Sequence, residues 1–367
     1  MKVVHLSTAH SWRGGEQQIA YLIDELNKHS VKQILVCSRN SEIETYAQQS
    51  QLQYYSFTKK SAISFQFIKG LIRVMRKEQP DIVHIHDSHA QTIAVLSALL
   101  TKNSTPFVLS RRVDFPVSSN VFSRFKYNYP AIKKIICVSD AISDILKPAI
   151  KEQNKLVTIH SGIDFKKFKN ENSRTIRNQL GISEDVKLVG NVAAIADHKD
   201  YFTFVDTANL ILNEGLNVHF VVIGDGPLRE EIETYIHQKG LSEKITLLGF
   251  RKDVHKIIYE LDYFLFTSKT EGLGTSVIDA MYAGVPVVAT KAGGVPELIT
   301  NRIHGFLSNV KDSDSLSENF IELFKDEEIR KDLIKNAKEK ALLFSKELMA
   351  KKTLEVYKDI LASSNKN

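Results

Sequence analysis

Residues 271–295, EGLGTSVIDAMYAGVPVVATKAGGV, combine acids and glycines that can bind a phosphate and hydroxyl groups side by side. Glu271 is followed by Gly272 and Gly274, and a helical pattern then carries Asp279, eight residues after Glu271. Glycines let a ligand approach the backbone closely, and the free N–H groups at a helix start attract an anion. A carboxylate beside such a loop must instead accept hydrogen bonds from hydroxyls. The pattern indicates a nucleotide sugar, and an ordinary strand–turn–helix with surface acids is the alternative.

Two loops in the first half of the chain offer anion sites. Gly14 and Gly15 follow the first predicted strand and precede a helix, which suits an anion, although an adjacent glycine pair is also an ordinary turn. Arg111 and Arg112 end a later predicted strand, where paired guanidinium groups suit bidentate recognition of phosphate or carboxylate. The alternative for the arginines is a solvated pair that bridges to surface acids. Because ligands gather at the carboxyl ends of parallel strands, we favour the anion site.

A histidine cluster lies where another predicted strand ends. Alternation places His84 and His86 on one face of that strand, and Asp87 and His89 lie in the following loop. These side chains are candidate zinc ligands. No other part of the sequence offers a matching ligand set, so we predict no metal site. We expect one of the histidines to contact a sugar hydroxyl and the others to pack in an interdomain cleft.

The second half of the chain carries three weaker signals, each after a predicted strand. Lys199 can neutralise a diphosphate leaving group, although an isolated surface lysine is the common case. Residues 224–228, GDGPL, form a glycine-rich loop that suits a tight turn or the approach of a ligand. Phe250 and Arg251 end the motif LLGFR, where a nucleotide base can rest against the ring or the backbone.

The composition is that of a soluble globular protein. A chain of 367 residues with 43% hydrophobic and 25% charged residues is comfortable for two domains. The net charge of +6 does not require a nucleic-acid partner. Cys37 and Cys137 lie in apolar runs and are predicted to be reduced, buried thiols. No signal peptide or membrane span is apparent, so we predict a cytoplasmic protein whose membrane contact is at most peripheral.

Short apolar runs alternate with amphipathic helical patterns, which favours parallel sheets covered on both faces. Eleven predicted strands in two series indicate two doubly wound domains rather than one large sheet. The polar segment 165–177 separates the two series. The predicted strands cover residues 2–6, 33–37, 82–85, 107–110, 134–138, 156–160, 187–192, 218–223, 245–248, 263–266 and 285–289.

The order of these motifs resembles that of the retaining GT-B glycosyltransferases, the group 1 or family-four type that includes bacterial mannosyl- and glucosyltransferases of cell-envelope synthesis. The resemblance covers nearly the whole chain, from Gly14 and Gly15 through HIHD, CVSDAI, IHSGID, VVIGDGPL and LLGF to EGLGTSVIDAMYAGVPVVAT and GGVPELI. It implies an α/β fold of the GT-B class, with two doubly wound Rossmann-like domains facing across a cleft. The implied divisions are residues 1–165 on the acceptor side, 166–345 for the nucleotide sugar, and 346–367 as a helix that crosses back to the N-terminal domain.

The resemblance also implies roles for residues of the second half. Glu271 would hydrogen-bond the donor sugar, Lys199 would neutralise the diphosphate, and Asp279 would accept the ribose hydroxyls. We take Glu271, Lys199 and His86 as the predicted catalytic residues. The predicted donor-binding residues are Gly15, Gly272, Leu273, Gly274, Thr275, Asp279, Phe250 and Arg251. The predicted residues for an acceptor or another anion are Arg111, Arg112 and Arg13.

Three positions depart from the family pattern. Asp279 stands where a second glutamate is usual, and it is shorter by one methylene but can still accept two hydroxyls. Ala194 stands where an arginine is usual, which weakens neutralisation of the diphosphate unless another arginine substitutes. Arg111 and Arg112 stand where relatives often carry a histidine, which suggests an anionic ligand at that point.

Together these features predict a retaining, metal-independent glycosyltransferase without a cofactor. Cationic side chains and helix N-termini would assist departure of the diphosphate. The enzyme would move a sugar from a nucleotide-diphosphate sugar to a cell-envelope glycan or glycolipid of the lipopolysaccharide or capsule type. A nucleotide-sugar epimerase of similar architecture and a catalytically degenerate sugar-nucleotide-binding protein are the alternatives.

Residues 59–77, KKSAISFQFIKGLIRVMRK, mix lysines and arginines with apolar side chains. A basic amphipathic helix can rest on an anionic bilayer, which fits a lipid-linked acceptor and a location on the inner face of the plasma membrane. A core-facing helix with a solvated basic rim is equally favoured.

Overall fold

The computed structural model of the chain describes residues 1–59, 64–169 and 174–364. Its contacts group into two compact units, Met1–Gly162 with Lys346–Asn367, and Ile163–Ser345. Residues 60–63 of the basic segment and residues 170–173 of the polar segment lie outside the described part of the chain.

The first unit alternates strands and helices from its first residues. Its strands are β1 Lys2–Leu6, β2 Lys32–Ser38, β3 Tyr54–Phe57, β4 Ile82–Ile85, β5 Phe107–Arg111, β6 Ile132–Cys137 and β7 Leu156–Thr158. Its helices are α1 Gly14–Leu26, α2 Glu42–Gln49, α3 Phe65–Glu78, α4 Ser88–Thr101, α5 Val121–Tyr127 and α6 Asp140–Leu146.

The second unit repeats the alternation. Its strands are β8 Lys187–Val192, β9 Val218–Ile223, β10 Ile245–Gly249, β11 Tyr263–Phe266, β12 Val287–Thr290 and β13 Phe306–Ser308. Its helices are α7 Thr175–Leu180, α8 Tyr201–Asn213, α9 Arg229–Gln238, α10 Val254–Ile257, α11 Thr275–Ala283, α12 Val295–Leu298, α13 Ser313–Lys325 and α14 Glu327–Ala341.

Each unit contains one parallel sheet. The first sheet has the strand order β3-β2-β1-β4-β5-β6-β7, and the second has the order β10-β9-β8-β11-β12-β13. In both sheets the chain winds outward on one side and then returns to wind outward on the other. The order therefore reverses between β1 and β4 in one unit and between β8 and β11 in the other, and loops at such a reversal form ligand sites. This architecture confirms the predicted class of two doubly wound, Rossmann-like parallel sheets.

The last helix, α15 Lys346–Ser364, belongs to the first unit and packs against α1. Met349, Leu354 and Tyr357 of α15 share an apolar cluster with Leu22 and Leu26 of α1. Lys346, at the start of the helix, lies 3.3 Å from Glu25 of α1, and both side chains are buried. A buried ion pair beside an apolar seam fixes where this helix docks.

Two strands, β3 and β13, were absent from the sequence prediction. They are only 4 and 3 residues long and stand at the edges of their sheets. A strand of three or four residues is too short to show a clear apolar period. Sequence periodicity therefore found the central strands and missed these margins.

The thiols behave as predicted. Cys37 in β2 and Cys137 in β6 are free and buried, and burial raises the pKa of each thiol to about 12.

Among the described residues, no helix is both long and apolar enough to cross a bilayer.

Candidate functional site

The reversal of strand order in the second unit brings Lys199 and Glu271 into direct contact. Lys199 follows β8 and Glu271 follows the neighbouring strand β11. The ammonium of Lys199 donates a hydrogen bond to Glu271 Oε2, and both side chains are largely shielded from solvent. The two predicted catalytic residues of this unit thus form one ion pair, which a bound ligand must rearrange to reach either charge.

The loop that carries Lys199 is held from β11. Residues 197–199 form a single 3-10 turn, and Asp200 has a left-handed conformation with a φ of 51°. The hydroxyl of Thr267 donates to the backbone carbonyls of Lys199, at 3.2 Å, and Asp200, at 3.1 Å. The ammonium of Lys199 also lies 5.5 Å from the centre of the Phe266 ring. These contacts fix the cation at the end of the strand.

The loop after Glu271 leads directly into α11. Gly274 is the N-cap residue, with a φ of 93° that side chains rarely adopt, and Thr275 begins the helix. Gly272 and Leu273 therefore lie between the carboxylate of Glu271 and the free N–H groups of the helix start. The predicted diphosphate-binding backbone and the predicted sugar-binding acid are adjacent in one short segment.

Asp279 lies on the first half of α11 and is partly buried. Among the described residues, no hydrogen bond or ion pair involves its carboxyl group, and burial raises its pKa to about 7. A carboxyl group without partners in a low-dielectric environment has free acceptor capacity. This matches the predicted role of Asp279 as an acceptor for ribose hydroxyls, which stays a prediction.

Gly293 supports Glu271 from the following loop. A Cβ atom at Gly293 would lie 1.8 Å from the carbonyl oxygen of Glu271, and the φ of Gly293 is 48°. The neighbouring N–H of Gly294 donates to the same carbonyl oxygen at 3.2 Å. Only glycine therefore allows the GGV motif to pack against the backbone of Glu271.

We expect Gly293→Ala to weaken binding of the nucleotide sugar by about tenfold, because displaced backbone misaligns the charged hydrogen bonds of Glu271. Calorimetric titration measures the dissociation constant. Gly240→Ala is the matched control, since Gly240 also has a positive φ, 71°, but a Cβ there meets no atom within 4 Å. Equal losses of affinity in the two variants would show that backbone strain, not the contact with Glu271, is responsible.

The loops after β8, β9 and β10 are bonded to one another. Gly224 donates its N–H to the carbonyl of Gly249 at 2.9 Å, and Cβ atoms at Gly224 and Gly226 would lie 1.9 and 2.3 Å from carbonyl oxygens of the β8 loop. The glycine-rich GDGPL segment is thus required by close backbone packing. Phe250, which follows Gly249, is 71% exposed and leaves its ring available to a ligand.

The charge of this region depends on Arg251 and on the presence of Ala194 where the family pattern has an arginine. The guanidinium of Arg251 makes two hydrogen bonds to Asp253, at 2.9 and 2.7 Å, so its charge is already compensated. Ala194 is exposed in the loop after β8. Arg251 is therefore poorly placed to replace the arginine that the family pattern has at position 194.

In the first unit, the reversal of strand order joins the loops after β1 and β4. Asp87, after β4, accepts hydrogen bonds from the Thr8 backbone N–H at 2.6 Å and from the Thr8 hydroxyl at 2.7 Å. It also caps α4 through the N–H of Ala90. Asp87 therefore holds the β1 loop in place rather than facing a metal ion.

The start of α1 is open. A Cβ atom at Gly14 or Gly15 would meet nothing within 4 Å, so neither glycine is required by local packing. Arg13 is exposed at the N-cap, and its backbone N–H donates to Glu16 at 3.0 Å. The glycine pair leaves room for a ligand beside the free N–H groups of this helix.

Arg111 and Arg112 have different environments. Arg111 is buried: its guanidinium donates to the Tyr127 hydroxyl at 2.8 Å and to the Phe115 carbonyl, and it stacks on both rings. It therefore braces the segment before α5. Arg112 is partly buried and, within the described part of the chain, has no carboxylate within 4.0 Å. Burial lowers its pKa to about 10. Arg112 is the better placed of the two to bind an anion.

His86 lies directly behind Arg112. The guanidinium of Arg112 donates to the His86 carbonyl at 3.3 Å and lies 3.4 Å from His86 Nδ1. His86 is only 7% exposed, and His5 and His84 pack against it. Burial lowers the pKa of all three rings, so they are neutral at pH 7. The prediction that His86 touches a sugar stays a prediction, since its ring nitrogens already have partners within the unit.

Several residues of these sites escaped the sequence analysis. The hydroxyl of Ser268 lies 3.4 Å from Glu271 Oε2, and Gly293 packs against the backbone of Glu271. Neither residue type is distinctive alone. His5 and Gln33 carry a recognisable signal, since each is a polar residue next to a run of apolar residues in its strand. Buried polar residues on central strands are uncommon enough to mark a site.

Comparisons with known proteins assign families to both halves. Residues 12–167 match the family described as Glycosyltransferase Family 4, and residues 172–340 match that described as Glycosyl transferases group 1. The boundary between the matches falls in the polar segment 165–177, a few residues after the start of the second unit at Ile163.

Individual relatives are similar over most of their length. The chain is 25% identical over 299 residues to an Escherichia coli protein, UDP-Gal:alpha-D-GlcNAc-diphosphoundecaprenol alpha-1,3-galactosyltransferase, and 77% of each chain is covered. It is 23% identical over 364 residues to the capsular polysaccharide biosynthesis glycosyltransferase CapM of Staphylococcus aureus, with 93% of each chain covered. A crystal structure of Anabaena HepE with UDP and glucose has a TM-score of 0.83 and 20% identity, covering 98% of this chain and 100% of that one.

Proposed function

Because this chain belongs to the glycosyltransferases whose group 1 and family 4 domains it contains, we propose that it transfers a sugar from a nucleotide-diphosphate sugar with retention of configuration. Both family matches describe transferases, which confirms the predicted enzyme class. They give no support to the alternative of an epimerase.

One observation carries the assignment of the donor site. Lys199 and Glu271 contact each other at the switch point of the second sheet, beside a glycine-capped helix start. A diphosphate bound at α11 would gain the N–H groups of the helix and the ammonium of Lys199. Glu271, released from its ion pair, would accept hydroxyls of the sugar. Phe250 and the carboxyl group of Asp279 supply a surface for the base and acceptors for the ribose.

The proposed chemical step needs no metal ion. The bond between the sugar C1 and the diphosphate oxygen breaks, and the leaving oxygen takes the electron pair. Lys199 and the start of α11 stabilise the negative charge that develops there. The acceptor hydroxyl attacks C1 from the face that the diphosphate leaves, and its proton passes to a departing phosphate oxygen. Attack on that same face retains the configuration at C1.

We assign the acceptor to the first unit. Arg112, the exposed Arg13 and the open start of α1 at Gly15 offer hydrogen-bond donors to a phosphate or carboxylate, and Glu16 and Asp87 partly balance the charge of Arg112. This proposal gives Gly15 to the acceptor rather than to the donor. The E. coli relative is named for a diphosphoundecaprenol acceptor and CapM for capsular polysaccharide biosynthesis. Both names support an acceptor of the bacterial cell envelope, of glycolipid or capsule type. Its anionic group would bind at Arg112.

A panel of nucleotide sugars tests the proposed donor. The donor should raise the melting temperature, since a ligand that binds only the folded state stabilises it by mass action. Incubation of that donor with lipid-linked acceptors should give a new glycoside, and the NMR coupling of its anomeric proton should show the donor's configuration. An inverted anomer would contradict the proposed mechanism, and epimerised donor without acceptor would contradict transfer itself.

The proposed membrane surface lies on the first unit. On α3, Phe67, Ile68, Leu71 and Met75 are buried, so most of the apolar side chains in the basic segment serve the core. The exposed side of α3 instead carries cations. The exposed apolar side chains and the exposed lysines and arginines on α3, α4 and α5 are Phe65, Lys69, Arg73, Arg76, Lys77, Leu99, Leu100, Val121, Phe122, Arg124 and Phe125.

These helices have a charge pattern that fits an anionic bilayer. The sequences of α3, α4 and α5 contain one acid, Glu78, which is buried and bonded to Tyr55 at 2.7 Å. Exposed aromatic and aliphatic groups among uncompensated cations are typical of surfaces that bind anionic lipid. Such a surface would bring the unit to a lipid-linked acceptor.

We expect Arg73→Glu/Arg76→Glu to weaken binding to vesicles containing phosphatidylglycerol by at least about tenfold, because each cation near the surface contributes about 1 kcal/mol. Co-sedimentation at low and high salt measures the bound fraction. Lys325→Glu/Lys335→Glu makes the same charge change at exposed positions of the second unit and should bind as the unaltered protein does. Full binding by the α3 variant would remove this surface from the proposal.

A further inference from the structure

We propose that Gln33 and His5 position Arg112 for anion binding, through a directed chain of hydrogen bonds that passes through His86. The chain runs from the centre of the first sheet to the mouth of the anion site. It makes Gln33 and His5 positioning residues for a cation that they do not touch. This inference rests on the anion site proposed above.

The inner end of the chain fixes the orientation of Gln33. Its side-chain nitrogen donates to the Ile23 carbonyl at 2.9 Å and to the side-chain oxygen of Asn27 at 2.6 Å. Both partners are acceptors, so the amide nitrogen of Gln33 faces them and its oxygen faces away. That oxygen lies 3.1 Å from His5 Nε2. His5 must therefore carry its proton on Nε2.

The proton on His5 Nε2 determines the next ring. Because His5 is neutral, its Nδ1 is an acceptor, and it lies 3.0 Å from His86 Nε2. His86 must then donate from Nε2, which leaves its Nδ1 as an acceptor. The guanidinium of Arg112, which can only donate, lies 3.4 Å from that nitrogen. Every step has one consistent direction, from Arg112 inward to Gln33.

The same direction argues against a metal ion at this cluster. His5, His84 and His86 offer nitrogen atoms within 4.8 Å of one another, which is compatible with a metal site. A ligating nitrogen must be free of a proton. The chain places a proton on His86 Nε2, the nitrogen that faces His5. His84 has its own partners, the Tyr357 hydroxyl at 2.5 Å and the Ser110 hydroxyl at 2.8 Å.

Because these polar residues are buried, the chain of hydrogen bonds requires a functional explanation. His5 and Gln33 are buried on the central strands β1 and β2, where apolar side chains would pack without polar desolvation. Polar networks in such places stabilise one geometry when every member has its partner. Here the geometry that they specify is the orientation of an acceptor nitrogen under Arg112. The two contacts of Arg112 with His86 are long, so the cation retains donors for a ligand.

Imidazole NMR on the full-length, histidine-labelled protein tests the direction of the chain. His5 and His86 should both appear as neutral rings with the proton on Nε2. Titration with inorganic phosphate should shift the nitrogen signals of His86 to saturation, and Arg112→Gln should abolish this shift. A proton on Nδ1 of either ring would overturn the chain.

Gln33, at the inner end of the hydrogen-bond chain, provides the decisive variant. Gln33→Leu should weaken phosphate binding by about tenfold, since one charged hydrogen bond loses its alignment. Its affinity for the nucleotide sugar should stay unchanged. Gln91→Leu is the matched control, because Gln91 is a buried glutamine of α4 whose amide has no partner among the described residues. Phosphate binding should be normal in that control.

The outcomes separate this inference from the proposed function. If phosphate does not shift His86 in the unaltered protein, both the anion site and the chain are wrong, while the donor site stands. If phosphate binds and Gln33→Leu binds it equally well, or Gln91→Leu is equally impaired, the chain alone is wrong. Should Gln33→Leu fail to fold, Asn27→Ala, at an exposed position, removes one of the two acceptors that orient the same amide and should still weaken phosphate binding.

Discussion

Replacing Lys199 by alanine is expected to lower kcat/KM by about 10³-fold, the loss typical for a group that stabilises charge in the transition state. Lys199 supplies the cation that pairs with Glu271, shortly before the start of α11, in the proposed donor site. Arg251 is paired with Asp253, and position 194 carries an alanine where relatives have an arginine. The departing diphosphate therefore depends on one ammonium group where the family pattern provides two cations.

The ion pair with Glu271 sharpens this expectation. Lys199→Ala leaves Glu271 without its counter-charge near the phosphate site, so the acid then repels the donor. Glu271→Ala should lower kcat/KM by a similar factor, because it removes the acceptor for the sugar hydroxyls. The double variant should lose less than the product of the two single losses, since the groups act as a unit.

Lys269→Ala is the matched control for these variants. Lys269 lies in the same loop as Glu271. It pairs with Asp197 at 2.8 Å, a contact near the surface. Its removal should leave kcat/KM nearly unchanged, as exposed ion pairs contribute little. Steady-state kinetics with the donor from the nucleotide-sugar panel compares these four variants with the unaltered protein. Circular dichroism checks that each variant is folded. Near-normal activity of Lys199→Ala would refute the proposed donor site.

Replacing Asp279 by asparagine should weaken binding of the nucleotide sugar by about 10²-fold, because two hydrogen bonds to a charged carboxylate are lost. The same substitution should stabilise the protein without donor at pH 8. Burial raises the pKa of Asp279 from 3.8 to about 7, so the ionised carboxylate is disfavoured in the folded state. Loss of affinity and gain of stability in one variant would mark a residue kept for its ligand.

The pH dependence follows from the same pKa. Between pH 4 and about 7 the folded protein holds the proton of Asp279 more tightly than the unfolded chain does. The stability contributed by this group is therefore full below pH 4 and is lost as pH rises through about 7. The melting temperatures of Asp279→Asn and the unaltered protein should agree near pH 4.5 and differ at pH 8, with the variant higher.

Donor binding should show the opposite trend. Ribose hydroxyls donate to the ionised carboxylate, so affinity should fall as pH drops below about 7 in the unaltered protein. Asp279→Asn has no such titration, and its weaker affinity should be independent of pH. Asp314→Asn, on the exposed start of α13, is a control that should retain both the affinity and its pH dependence. A pH-independent affinity in the unaltered protein would contradict contact between Asp279 and the ribose.

Much of the fold was predictable because parallel strands buried on both faces leave long apolar runs. The strands that flank the two switch points, β1, β4, β8 and β11, were predicted with their observed bounds. The strand predicted at residues 285–289 is observed as β12, Val287–Thr290. It begins later because Pro286 has no N–H to donate to a neighbouring strand. The edge strands β3 and β13 were missed, whereas the edge strands β7 and β10 were predicted.

The sequence by itself determined the segment that we propose as the donor site. Glu271, the glycines after it and Asp279 form a local pattern, and their spacing survives in any fold that starts a helix at Thr275. Lys199 was only a weak candidate from its place after a predicted strand, since an isolated lysine carries little information, and the family pattern strengthened that prediction.

Only the tertiary structure decided which charges are free. Arg111 and Arg112 are neighbours in sequence, yet one stacks between Phe115 and Tyr127 while the other reaches His86. Lys199 and Glu271 neutralise each other across 72 residues of chain, and His5 of β1 meets the ring of His86 after β4. The physical reason is that electrostatic and hydrogen-bond partners are determined by distance in space, which the strand order and the packing of side chains set together.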